Sequence, residues 1–274
     1  MKLKQKLKSI VPECLFDFIP NSFDILGSGE RAIIIIDLPS ELKKYKKQVA
    51  EALLELYKNA VCILNRTHSR EGMFRNYKYE ILTGSNDTEV IHKEHGLRFL
   101  VDPRKAYFSC RESTERSRLQ QLVKTTDNVM VFFAGIGPIP VYLAKKCRRV
   151  VGIETNPKAV EYFKENIRLN KLNNVEAVSG DVRVKIEKFS GKFDRVFMPL
   201  PHEALNYLDE AVSCLKHRGI IHIYFFSGED ELKEKQKEIR KLIRGKVSFR
   251  KPQKVLPWGP GIYKYRLDIE VEKS

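Results

Sequence analysis

The sequence predicts an α/β protein: a small α+β domain over residues 1–105, then a class of parallel, doubly wound sheet over residues 106–274. Three observations predict it. From Asn128 onward, strand-like apolar runs alternate with helical patterns. Near residue 100 the texture changes, because before it short apolar runs are separated by turns. At the end, two strand-like runs follow each other with no helix between them, and two such strands must lie antiparallel.

Within the first domain, FDIL, the turn GSGE and RAIIIID come first. Leu42, Tyr45, Val49, Leu53 and Leu56 recur at spacings of three and four. They predict a helix from Ser40 to Lys58, with Ser40 as its N-cap. AVCIL, YKYEIL and LRFLVD read as strands. In the second domain NVMVFFAG is a buried strand and RRVVGIE a second. Asn156-Pro157 then supplies an N-cap and a proline at the first helical position, ahead of a helix with Val160, Phe163 and Ile167 on one face. VEAVSGD, FDRVFM and GIIHIYFF are the third to fifth strands. VSFRKPQKV and IYKYRLDIEVE, joined by Pro257-Trp258-Gly259-Pro260-Gly261, form the terminal hairpin. A parallel sheet that ends in an antiparallel hairpin is the usual plan of class I methyltransferases.

Composition narrows the function classes. The chain has 274 residues, 42% of them hydrophobic, so it can bury a sizeable core. Its net charge is +15, which favours a polyanionic partner. Residues 1–110 carry a net +4 and residues 111–274 a net +11. The longest uncharged stretch, Asn128 to Ala144, holds two Gly and two Pro and is no membrane span; MKLKQKLK is followed by no apolar run, so no secretory signal is visible. The five cysteines are scattered, with no CxxC pair, so neither a zinc site nor a disulfide framework is expected. His92 and His95 lack further ligands, so no metal is expected there. These features predict a reduced, cytoplasmic protein.

The first strand of the second domain runs into Phe133-Ala134-Gly135-Ile136-Gly137-Pro138. Gly135 and Gly137 permit a tight turn and close approach of a ligand to the backbone. Pro140 stands where a dinucleotide fingerprint wants its third Gly, and two prolines remove amide donors that a pyrophosphate would need. The next strand ends at Glu154, placed to accept from ribose hydroxyls, and the third at Asp181, placed to accept from an adenine amino group. With Phe133, Thr155, Val182 and Pro199 at neighbouring strand ends, this set points to S-adenosyl-L-methionine rather than a nicotinamide cofactor. A nicotinamide-dependent oxidoreductase and a non-catalytic RNA-binding module remain rivals.

Tyr107-Phe108-Ser109-Cys110-Arg111-Glu112-Ser113-Thr114-Glu115-Arg116, the AGIGP turn, IETNP and MPLP together resemble the archaeal and eukaryotic tRNA (guanosine-37, nitrogen-1) methyltransferases and their wyosine-forming relatives. Met73-Phe74-Arg75, Thr88-Glu89 and His92 to Gly96 are similar to landmarks of that family's small domain. The resemblance implies a monomeric, S-adenosylmethionine-dependent enzyme that meets the anticodon loop of tRNA. It implies Glu115 as general base, Arg75 holding the target nucleotide, and Tyr107, Phe108 and Arg116 beside the cofactor. Carboxylate removal of the proton on guanine nitrogen-1 is worth roughly a hundred- to ten-thousand-fold in rate. Arg111 is placed to stabilise charge on the neighbouring carbonyl oxygen, and Tyr107 and Phe108 to stack on a flipped-out base. The competing expectation for Glu115 is an i,i+3 pair with Arg118 on a solvated helix face.

The sequence departs from the commonest form of the family in three places. Pro199-Leu200-Pro201 replaces Asn-Leu-Pro, Cys110 stands in FSCR, and Glu154 replaces Asp. The PLP form is similar to the archaeal subgroup that methylates carbon-7 of 4-demethylwyosine. Pro199 deletes an amide side chain and leaves a more apolar slot, with Pro201 beside it, for a tricyclic base. Longer family members carry a further N-terminal domain that checks the tRNA elbow, and this chain is expected to begin at the domain after it. Lys233 to Lys254 is rich in basic residues and offers phosphate contacts. Trp258, between prolines, is expected to anchor its loop.

Overall fold

The structure, a computed structural model, describes residues 3–71 and 76–273. The chain divides into two compact units, residues 1–111 and 112–274.

In the first unit, α1 is Leu3–Leu7, β1 Asp24–Ser28, β2 Arg31–Ile36, α2 Lys46–Leu56, β3 Ala60–Glu71 and β4 Asn76–Gly84. The four strands form one sheet in the order β1-β2-β3-β4. β2 and β3 run parallel, and the other two pairings are antiparallel. A parallel pair needs a crossover, and α2 is that crossover: its Val49 and Leu53 pack with Ile34, Ile36 and Ile63. Ser40 does not cap this helix. It opens a 3-10 turn, Ser40–Tyr45, and its hydroxyl binds the Glu41 carboxylate rather than a backbone amide. β5 (Val90–Glu94) and β6 (Leu97–Val101) make a separate antiparallel hairpin.

In the second unit the elements are α3 Ser113–Leu122, β7 Asn128–Phe132, α4 Pro138–Ala144, β8 Arg149–Glu154, α5 Pro157–Leu169, β9 Val175–Ser179, α6 Val182–Lys185 and β10 Phe193–Met198. There follow α7 Leu208–Cys214, β11 Leu215–Ser227, α8 Leu232–Leu242, β12 Lys246–Phe249, β13 Gln253–Gly259 and β14 Ile262–Glu272. The sheet order is β12-β14-β11-β10-β7-β8-β9, with β13 also on β14. β7 to β11 are mutually parallel, β14 runs antiparallel to β11, and β12 and β13 each pair antiparallel with β14. The terminal hairpin is therefore three strands rather than two. Pro252 lacks an N–H and falls where the run Val247–Val255 breaks, so β12 and β13 pair with different stretches of β14.

Asn156 caps α5 as expected, its Oδ1 accepting from the Lys158 amide at 3.0 Å. One apolar cluster, including Phe132, Val151, Phe193 and Ile223, fills one face of the sheet, and another, including Leu119, Val131, Leu143 and Phe163, fills the other. All five cysteines are free thiols. Among the described residues no helix is long and apolar enough to cross a membrane.

Candidate active site

In open parallel sheets ligands bind at the carboxyl ends of the strands. Here the ends of β7, β8 and β9 are tied into one corner. Gly135 N–H donates to Glu154 Oε2 at 2.8 Å and Asn156 N–H to Glu154 Oε1 at 2.8 Å. Gly180 N–H donates to the Glu154 carbonyl at 2.9 Å, and Thr155 Oγ1 donates to the Gly180 carbonyl at 3.3 Å. Burial pushes the Glu154 carboxyl up from its ordinary value, against the pull of the backbone donors on it. Phe133, Gly135 and Gly137 all have positive φ, at 54°, 56° and 83°. A bulky residue such as Phe133 is strained there, and such positions cluster at ligand sites.

The neighbouring side chains complete the corner. Phe133 meets the Tyr207 ring edge-on at 4.8 Å, and the Arg183 guanidinium lies 4.5 Å over Tyr207. Asp181 caps α6, its Oδ1 accepting from the Arg183 amide at 2.8 Å. No hydrogen bond reaches its Oδ2 among the described residues. Val182 is buried in the same core cluster as Met198, which precedes partly buried Pro199 and Pro201. Carboxylates at two adjacent strand ends, an aromatic ring at the third and glycine backbone between them fit an adenosyl group with free ribose hydroxyls. The fit is poorer for a pyrophosphate, since Pro138 and Pro140 remove donors from the start of α4.

Glu115 lies on α3, only 4% exposed. It does not pair with Arg118. Tyr224 on β11 donates its hydroxyl to Glu115 Oε1 at 2.8 Å, and Arg266 on β14 donates to the same oxygen. Burial first, and the Glu115 charge second, push the Tyr224 phenol well above its ordinary value. Arg116 is also buried, at 3% exposure. Sequence reasoning missed Tyr224 and Arg266. The alternation Lys264, Arg266, Asp268 reads as the solvated face of a strand, yet all three are buried. Tyr207 was missed too, in a helical segment with no motif.

Arg111, Phe108 and Tyr107 lie in the first unit and Trp258 in the second. Arg111 donates from Nε to Asp24 on β1 at 2.6 Å, and Arg66 donates to the other oxygen of that carboxylate at 2.8 Å. Phe108 packs against Phe99 and His92, and Tyr107 is half exposed. Arg75, with Met73 and Phe74, lies outside the described residues. Trp258 is about half exposed and lies over Phe226 at 4.3 Å, with His202 beside both.

Residues 90–249 match the TRM5/TYW2 methyltransferase domain, and residues 3–88 match the TYW2 N-terminal domain. The chain is 37% identical over 265 residues to the tRNA (guanine(37)-N(1))-methyltransferase Trm5b of Pyrococcus abyssi, covering 95% of this chain and 78% of that protein. It is 34% identical over 238 residues to the tRNA(Phe) (4-demethylwyosine(37)-C(7)) aminocarboxypropyltransferase of Methanocaldococcus jannaschii, covering 83% and 94%. The crystal structure of Pyrococcus horikoshii TYW2 in complex with MeSAdo superposes with a TM-score of 0.82 at 26% identity, over 99% of this chain and 98% of that one. The carboxylate corner, the glycine turn and the buried Glu115 thus sit in a frame shared along nearly the whole chain, and the protein belongs to the TRM5/TYW2 family of S-adenosylmethionine-dependent tRNA-modifying enzymes.

Proposed function

We propose that the chain modifies the purine at position 37 of tRNA by methyl transfer, with carbon-7 of 4-demethylwyosine as its preferred acceptor and guanosine nitrogen-1 as a second one. The observation that carries this is Glu115: a buried carboxylate whose two hydrogen-bond donors, Tyr224 and Arg266, both meet Oε1. Oε2 accepts no hydrogen bond among the described residues and is free to take a proton from the acceptor base. S-adenosylmethionine supplies an electrophilic carbon on a sulfonium sulfur. Glu154 and Asp181 would hold its ribose and adenine, with Phe133 beside the ring. Pro199 offers no amide to guanine, which favours a base held by its ring faces instead. The charge of +15 suits contact with RNA phosphates.

A second reading has a specific observation behind it: residues 3–88 match the TYW2 N-terminal domain. In that reading the same base would be alkylated with the aminocarboxypropyl chain of the cofactor, leaving methylthioadenosine rather than S-adenosylhomocysteine. Mass spectrometry of nucleosides separates the cases. The protein is incubated with S-adenosylmethionine and tRNA carrying either guanosine or 4-demethylwyosine at position 37. Methylation of 4-demethylwyosine in preference to guanosine is expected, with S-adenosylhomocysteine as by-product. Efficient methylation of guanosine alone refutes the role given to Pro199, and an aminocarboxypropyl adduct with methylthioadenosine refutes methyl transfer.

A further inference from the structure

The second unit carries a chain of buried charges that ends on Glu115. β11 and β14 are antiparallel, and their register sets Tyr224 opposite Arg266 and His222 opposite Asp268. Alternate residues of a strand share a face, so Lys264, Arg266 and Asp268 project together with His222 and Tyr224. Arg266 donates from Nε to Asp268 Oδ1 at 3.0 Å, and His222 Nδ1 lies 2.7 Å from that oxygen. Arg195 on β10 reaches His222 Nε2 at 3.3 Å and donates from Nε to Asp127 Oδ2 at 2.6 Å. One tautomer satisfies every contact: Nδ1–H donates to Asp268 and Nε2 accepts from Arg195. Burial lowers the His222 imidazole below its ordinary value, outweighing the pull of Asp268, which keeps it neutral in this arrangement.

Such an array is an expensive way to gain stability. Buried ion pairs contribute little net, and apolar residues of equal volume do as well or better. What a fully satisfied polar network supplies is a fixed geometry. We propose that Arg266, held by Asp268, His222, Arg195 and Asp127, is a positioning residue that anchors the Glu115 carboxylate through Oε1 and reserves Oε2 as the oxygen that takes the proton. The proposal rests on Glu115 being the base. In the step itself the N–H or C–H bond of the acceptor breaks, its electron pair stays on the acceptor, and the proton bonds to Oε2. Glu115 becomes neutral while Tyr224 and Arg266 keep their own protons.

The groups around Glu115 are Glu112 and Arg116 on its own helical segment, Tyr224 and His222 on β11, and Lys264, Arg266 and Asp268 on β14. Lys264 is paired with Glu112 at 2.9 Å. α4, which packs on α3, brings no charged residue, and its titratable group is Tyr142. Among the described residues, Arg266 is therefore the cation bound directly to the carboxylate.

The test is single-turnover methyl transfer to the same two tRNAs, followed from acid to alkaline pH. An adjacent arginine moves a carboxylate by about 1–3 pH units. Arg266→Gln should therefore raise the pH midpoint of the rate by about that much while keeping its high-pH plateau, and Arg266→Lys should restore the midpoint. A loss by one constant factor at every pH, or an unmoved midpoint, overturns the proposal. Should Arg266→Gln not fold, Tyr224→Phe decides: it keeps the ring and deletes one donor to Oε1, so its midpoint must also rise. Glu115→Gln tells the two ideas apart. A near-normal rate in that variant removes the base itself, whereas a loss of about a hundredfold with an unmoved Arg266→Gln midpoint removes only the positioning role.

Discussion

Gly137→Ala tests how the glycine turn after β7 is built. A Cβ placed on Gly137 would lie 1.9 Å from Cδ2 and 2.4 Å from Cε2 of Phe163, and the backbone there has φ +83°. Phe163 cannot retreat, since a Cβ on Gly152 would meet the same ring at 2.6 Å, and the side chain is fully buried. Two penalties add. Left-handed backbone costs alanine about 1–2 kcal/mol, and overpacking a tight core costs about 1–3 kcal/mol. The expected loss is about 2–5 kcal/mol. Urea unfolding followed by the fluorescence of Trp258, the sole tryptophan, reports on the second unit. Repeating the substitution in a Phe163→Leu background separates the penalties: the packing part should vanish while about 1–2 kcal/mol of backbone penalty persists. A loss below about 0.5 kcal/mol, or the same loss in both backgrounds, would refute the contact with Phe163 as the reason for glycine.

Two further outcomes are expected. Glu154→Gln replaces a carboxylate that accepts two backbone amides. S-adenosylmethionine affinity should fall by roughly ten- to 150-fold, the equivalent of about 1.5–3 kcal/mol. Because burial raises the Glu154 carboxyl, affinity in the unaltered protein should drop on acidification earlier than an ordinary glutamate predicts, and calorimetry should find the variant flat over that range; parallel pH profiles would remove Glu154 from the site. tRNA affinity should fall steeply with salt, by about 0.7–0.9 log unit per log unit of salt for each phosphate contact. Replacing exposed Lys241 and Arg244 together should flatten that slope, and an unchanged slope would place the RNA elsewhere.

Signals that act within a few residues were legible in the sequence. The strand-and-helix alternation from Asn128, the Asn156 cap and the antiparallel tail follow from periodicity, capping and the lack of a crossover. The turn at Gly135 and Gly137 and the carboxylates at Glu154 and Asp181 follow from where strands end. Tertiary structure decided what those residues face. Gly137 reads as room for a ligand, yet the ring of Phe163 closes on it from α5. Glu115 reads as one acid on a charged helix, yet its partners are Tyr224 and Arg266, 109 and 151 residues away along the chain. Lys264, Arg266 and Asp268 alternate like the wet side of a strand and are buried instead. Periodicity reports that a strand has two faces, but only the packing of helices across the finished sheet decides which face loses its water, and the partners that make such a loss tolerable for charges come from strands far apart in sequence.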